Sequence, residues 1–164
     1  MDLPDRQSIR LKQFDYSQVG FYFVTICSHQ HRLLFGQIVS GEMQLNIAGQ
    51  LVFDVWQNLS VQHPNIVLHD FIIMPNHFHG VIQITYQTQD TIGVMVQTFK
   101  RITTNGYINL VKQHQLPRFS QRIWQRNYWE RVIRDEQEFN NICGYIQRNP
   151  KTWDEDTLNP DNGL

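Results

Sequence analysis

The chain has 164 residues, 41% hydrophobic and 12% aromatic, with a formal net charge of −1. That length supports one domain with a proper core, and the composition excludes a disordered chain. No apolar run approaches the roughly 20 residues of a membrane span, and the near-neutral total argues against a blanket polyanion binder.

The first 18 residues are polar, with Arg6, Arg10 and Lys12 spaced through them, and read as an N-terminal arm. They hold no apolar stretch of the kind a secretory signal needs, so the expectation is a cytoplasmic protein. Cys27 and Cys143 fit no disulfide or zinc spacing and are expected as buried thiols. Residues 20–28 are rich in aromatic and β-branched side chains and predict a central strand. His29-Gln30-His31 follows in a loop-like setting, and its two histidines are expected to be solvent-exposed. Residues 33–46 carry two short alternating segments around Ser40-Gly41-Glu42, which predicts a β-hairpin.

Ala48, Leu51, Val52, Val55, Trp56 and Leu59 recur at helical spacing, and His63-Pro64-Asn65 ends that helix. Residues 66–74 and 77–85 predict two strands joined at a tight Pro75-Asn76 corner. In the second strand His77 and His79 point to one face and Phe78 to the other. Two imidazoles side by side make a two-nitrogen metal site; the alternative is two polar positions on a half-exposed strand.

Residues 91–111 predict a second amphipathic helix, weakened near Asn105-Gly106. After a polar stretch with Pro117, residues 123–133 predict a strand containing Trp124, Tyr128 and Trp129. Asp135 and Glu138 predict a capped helix start, Phe139, Ile142 and Ile146 its core stripe, and Pro150 its end near Arg148. Tyr145 and Asn149 lie four apart on that helix and so share a side. Tyr145 is either a packed ring with a wet hydroxyl or a nucleophile, and a phenol titrating near 10 needs activation for the second role. The acidic tail, residues 153–164, is expected to dock loosely.

Without the hairpin the order is β-α-β-β-α-β. The predicted fold class is therefore α+β: a ferredoxin-like βαββαβ antiparallel sheet with an inserted β-hairpin and an added C-terminal helix carrying the tyrosine, in a single domain spanning residues 1–164. Charge is unevenly placed along it. Residues 96–151 hold ten Lys/Arg and four Asp/Glu, a net of +6, while the remainder holds four and eleven, a net of −7. Such asymmetry points to a polyanionic partner or to an ordinary solvated basic face.

Four motifs occur in order: Met74-Pro75-Asn76-His77-Phe78-His79-Gly80, Trp124-Gln125-Arg126-Asn127-Tyr128-Trp129-Glu130, Ile133-Arg134, and Tyr145-Ile146-Gln147-Arg148-Asn149-Pro150. Together with Gly20-Phe21-Tyr22-Phe23-Val24-Thr25 and the hairpin, they resemble the REP-associated tyrosine transposases, relatives of the single-tyrosine HUH transposases of bacterial insertion sequences. The similarity spans roughly residues 10–160. It implies that His77 and His79 bind a divalent cation, Mg²⁺ or Mn²⁺, with Asn149 where relatives can carry a third polar ligand. It implies that Tyr145 attacks a phosphodiester of single-stranded DNA to give a 5′-phosphotyrosine and a free 3′-OH. The target implied is DNA with hairpin structure, such as repetitive extragenic palindromes.

On that reading the basic segment meets the DNA backbone, with Lys100, Arg101, Arg122, Arg126 and Arg134 as contacts and Trp124, Tyr128 and Trp129 as base-stacking candidates; the alternative, which their large buried area favours, is that the tryptophans of this strand lie in the core. Many relatives have Glu-His where this chain has Glu130-Arg131. Two rivals stay open: a metal-dependent phosphodiesterase in which water attacks, and a non-catalytic nucleic-acid-binding module. Monomeric and homodimeric relatives both exist, which leaves open whether Tyr145 serves its own subunit.

Overall fold

The computed structural model describes residues 11–162; most of the predicted N-terminal arm, with Arg6 and Arg10, lies outside that range, as do the last two residues. Six strands and four α-helices follow in order: β1 Gly20–Cys27, β2 Gly36–Val39, β3 Glu42–Leu45, α1 Ile47–Gln57, α2 Leu59–Gln62, β4 Ile66–Met74, β5 His77–Ile84, α3 Ile92–Lys112, β6 Trp129–Ile133 and α4 Glu136–Arg148. The main sheet runs β4-β5-β1-β6 with every neighbouring pair antiparallel, and β2-β3 form the separate hairpin. The expected α+β architecture is therefore present.

The sheet divides the core in two. Tyr22, Val24, Ile26, Phe78 and Ile82 bury one face against α1 and α3, where Trp56 and Phe99 fill the middle. On the other face Val81 and Ile133 meet Ile142 and Ile146 of α4. Alternation along β5 is what sends Phe78 to the first layer and His77 and His79 to the second.

Gly80 completes this arrangement. A Cβ there would lie 2.8 Å from ring carbons of both Phe78 and Trp56, and neither packed ring can withdraw cheaply. Gly80→Ala is expected to cost about 1–3 kcal/mol by overpacking, measured as a lower urea midpoint at unchanged m-value.

Three expectations need correction. The strand predicted over residues 123–133 is broken. Residues 123–125 make one isolated bridge, Ser28 to Trp124, and β6 begins only at Trp129. The interruption has a cause: Lys100 Nζ donates to the carbonyls of Gln125 at 2.8 Å and Arg126 at 3.1 Å, turning them away from any ladder. α3 runs unbroken through Asn105-Gly106. A Cβ on Gly106 would lie 2.6 Å from Leu51 Cδ1, so the glycine serves the close approach of α1 and outweighs its propensity cost. His29 and His31 are half-buried, and the left-handed backbone of Gln30 and His31 folds that turn back on itself.

The tail is also better ordered than the composition suggests. After α4 the chain continues as a 3₁₀ helix, Asn149–Glu155, and the carbonyl of Leu158 accepts from Asn76 Nδ2 at 2.7 Å. Cys27 and Cys143 are buried and unbridged, as expected. Among the described residues no helix is long and apolar enough to cross a membrane.

Candidate active site

β5 places His77 and His79 beneath α4, with 0% and 3% exposure. Each imidazole is oriented by a hydrogen bond at Nδ1. His79 Nδ1 is 2.7 Å from Thr25 Oγ1, its partner across the β1–β5 ladder. His77 Nδ1 is 2.8 Å from Asn76 Oδ1. The Asn76 amide nitrogen already donates to the carbonyls of Leu158 and His31, so its oxygen is the atom turned to His77. His77 therefore donates from Nδ1 and carries its lone pair on Nε2.

That lone pair meets other acceptors. Asn149 Oδ1 lies 3.4 Å from His77 Nε2 and Asp156 Oδ2 lies 3.9 Å away. In this tautomer neither His77 nor the Asn149 oxygen brings a hydrogen to their contact. His79 Nε2 is buried without a hydrogen-bond partner among the described residues. Burial pushes His77 down to about 4, although Asp156 and Asn149 pull the other way. Burial, and then the charge His77 would carry, hold His79 well below the ordinary histidine value. Both rings are neutral at pH 7, the form that ligates metals.

The donor types suit a divalent cation: two imidazoles share one face of β5, Asn149 Oδ1 lies beside His77 Nε2, and His79 Nε2 is buried with no hydrogen-bond partner among the described residues. Among the described residues no three His, Cys, Asp or Glu side chains are drawn together as a finished cation site. His77, His79 and Asn149 bring two nitrogens and one amide oxygen to this part of the sheet. Cys27 stands across the ladder from His77, but burial, with a further push from Asp156, raises its thiol to about 11, so it stays protonated.

Tyr145 sits above this pair. Its ring meets His79 edge-on with centroids 5.4 Å apart, and Phe23 stacks on the same imidazole at 5.3 Å. The tyrosine is 43% exposed and opens into a cleft of about 690 Å³ that Thr25, His79, Arg131 and Arg134 also line. Burial and then the charge of Asp156 raise its phenol above the ordinary value, while a hydrogen bond with Asn149 opposes them. The phenol is protonated at neutral pH.

The start of α4 fixes this placement. Asp135 Oδ1 accepts from the Glu138 amide at 2.8 Å, as the capping pattern predicts. Glu138 accepts from the Arg134 amide at 2.8 Å and pairs with Arg131. With Ile142 and Ile146 in the core, Tyr145 is carried to the edge of the buried face.

The predicted DNA contacts fall in two places. Arg134 lines the tyrosine cleft. Lys100, Arg101, Arg122, Trp124 and Arg126 line a second recess of about 340 Å³. Lys100 is engaged with the carbonyls of the following loop, as described. Trp124 is 4% exposed, its indole N–H donates to Thr103 Oγ1 at 2.7 Å, and its ring packs on Phe35 and Phe99. It is a core residue, the alternative that its large ring favoured.

Sequence reasoning missed Thr25 as the residue orienting His79, and Asp156 altogether. The ladder register identifies Thr25 once β1 and β5 are paired. No periodicity marks an aspartate in a polar tail.

The family model for IS200-like transposases matches residues 20–149. An uncharacterised protein of Haemophilus influenzae is 39% identical over 173 residues, covering 93% of this chain and 92% of its own. A second protein of that organism, named as a REP-associated tyrosine transposase, is 31% identical over 81 residues, covering 48% of this chain and 46% of its own. Among solved structures, a REP-associated tyrosine transposase bound to a REP hairpin shares the fold with a TM-score of 0.64 at 17% identity, over 88% of this chain and 74% of that one. With a matching family model over most of its length and a fold to go with it, this chain belongs to the IS200-like transposases, enzymes that cut and move DNA.

Proposed function

We propose that the protein nicks single-stranded DNA of hairpin character and transfers the strand through a covalent bond to Tyr145. The observation that carries this reading is the meeting, within one chain, of a half-exposed phenol and a buried imidazole whose Nε2 has no hydrogen-bond partner among the described residues. His77, His79 and Asn149 would hold a divalent cation, Mg²⁺ or Mn²⁺; when bound, it withdraws charge from a phosphate oxygen and stabilises the charge that develops there. The two nitrogens make Mn²⁺ the better match, since Mg²⁺ favours an all-oxygen shell.

Tyr145 Oη attacks the phosphorus, its proton leaves to solvent as the new P–O bond forms, and the 3′ oxygen departs and takes up a proton. The DNA then carries a free 3′-OH, and its 5′ phosphate is an ester of Tyr145. Attack by another 3′-OH on that ester reverses the chemistry and frees the tyrosine, with no nucleotide cofactor required. Arg131 and Arg134 place positive charge beside the cleft, and Arg101, Arg122 and Arg126 around the second recess suit backbone phosphates. The hairpin target is supported by the REP hairpin named for the similar solved structure.

The test is a denaturing gel after incubation with Mn²⁺ and hairpin-bearing single-stranded DNA labelled on the 3′ side of the cut. A label that migrates with the protein supports the reading. Cleaved DNA with no adduct at any time point points instead to water as the nucleophile, and binding without cleavage to a recognition module.

A further inference from the structure

We infer that Asp156, contributed by the C-terminal tail, is an additional ligand of the cation that His77 and His79 hold. This rests on the proposed function for the existence of that cation and adds a residue to its shell. Three observations carry it.

First, the side chain is 7% exposed, and Oδ2 has no hydrogen-bond partner among the described residues. A buried carboxylate oxygen left in this state carries a desolvation penalty that a cation would remove. Second, the other oxygen is fixed. Oδ1 accepts from the Leu158 amide at 2.8 Å, and the backbone beyond is tied down by the Asn76–Leu158 bond. The carboxylate is thus held with its free oxygen turned toward His77. Third, Oδ2 stands 3.9 Å from His77 Nε2, and the tautomer set by Asn76 makes that nitrogen an acceptor. Two acceptors so placed do not bond to each other. Donors that share one small cation at bond lengths of about 2.1 Å lie roughly 3–4 Å apart, which this pair satisfies.

The tail is built to deliver the group. The Asn149–Glu155 3₁₀ helix turns the chain back over the sheet, and Trp153 lies against His77 with ring centroids 6.1 Å apart. A carboxylate beside His77 supplies the negative charge that neutral imidazole and amide donors lack.

Mn²⁺ binding to the full chain, followed by calorimetry and by the free-ion electron paramagnetic resonance signal, tests this without any DNA. Asp156→Asn keeps an oxygen for the Leu158 amide and removes only the charge. It is expected to weaken Mn²⁺ binding at least tenfold, and to melt at the same or a higher temperature than the unaltered protein when both are metal-free. Asp156→Ala should weaken Mn²⁺ binding equally. If Asp156→Asn binds Mn²⁺ as the unaltered protein does while His79→Ala does not, Asp156 is no ligand and the histidine site stands. If Asp156→Asn instead lowers the metal-free melting temperature and leaves Mn²⁺ affinity unchanged, the aspartate is a partner of His77 alone. If the unaltered protein binds no Mn²⁺, this inference and the cation site fall together.

Discussion

Tyr145→Phe is expected to abolish the covalent DNA adduct and to lower strand cleavage on the order of 10⁴–10⁶-fold, the scale seen when a catalytic nucleophile is deleted. The change removes one oxygen and leaves the ring. The edge contact with His79 and the contact with Phe23 involve ring atoms that phenylalanine keeps. The residue is 43% exposed and the change gives up its hydrogen bond with Asn149, so stability should fall by about 1 kcal/mol or less. Hairpin DNA binding should persist, since the arginines of both recesses are untouched. A variant that folds, binds and cuts at an undiminished rate would transfer the attack to water and leave Tyr145 a packing residue.

The second large effect is expected at His79. Its replacement by alanine removes an imidazole whose Nε2 is buried with no hydrogen-bond partner among the described residues. Altering residues that merely orient a metal ligand typically costs 10–100-fold in metal affinity, so deleting a ligand itself should raise the Mn²⁺ dissociation constant by about 100-fold or more. Cleavage should fall with it, and excess Mn²⁺ should restore part of the loss. The variant also strips Phe23 of its stacking partner and Thr25 of its hydrogen bond. Thermal melts are needed to separate that structural cost from the loss of the cation. Unchanged Mn²⁺ affinity in a folded His79→Ala protein would remove the histidine pair from the mechanism.

The parts of this site that sequence made legible are those governed by short-range rules. Alternation in β5 put His77 and His79 on one face. Asp135 and Glu138 marked the start of α4, and its length then set where Tyr145 and Asn149 fall. What escaped depended on contacts distant along the chain. Trp124 sits in a stretch as β-prone as any strand, yet Thr103 and Phe99, about twenty residues earlier, take its ring into the core. Lys100 counted as a phosphate contact because charge alone was visible; its ammonium is directed to backbone carbonyls. Asp156 follows a proline-ended helix in an acidic segment, where composition suggests solvated charge. Only the bond between Asn76 and Leu158 shows why it turns inward.

The anchoring of α4 at both ends, by its Asp135 cap and by the tail returning to Asn76, has a kinetic corollary. On the proposed reaction, the phenol of Tyr145 and the imidazoles beside it would act within one polypeptide, with no encounter between copies needed to assemble them. The first strand break would then proceed at a rate per molecule indifferent to dilution. A mixture of tyrosine-deficient and histidine-deficient chains would stay as inert as either alone.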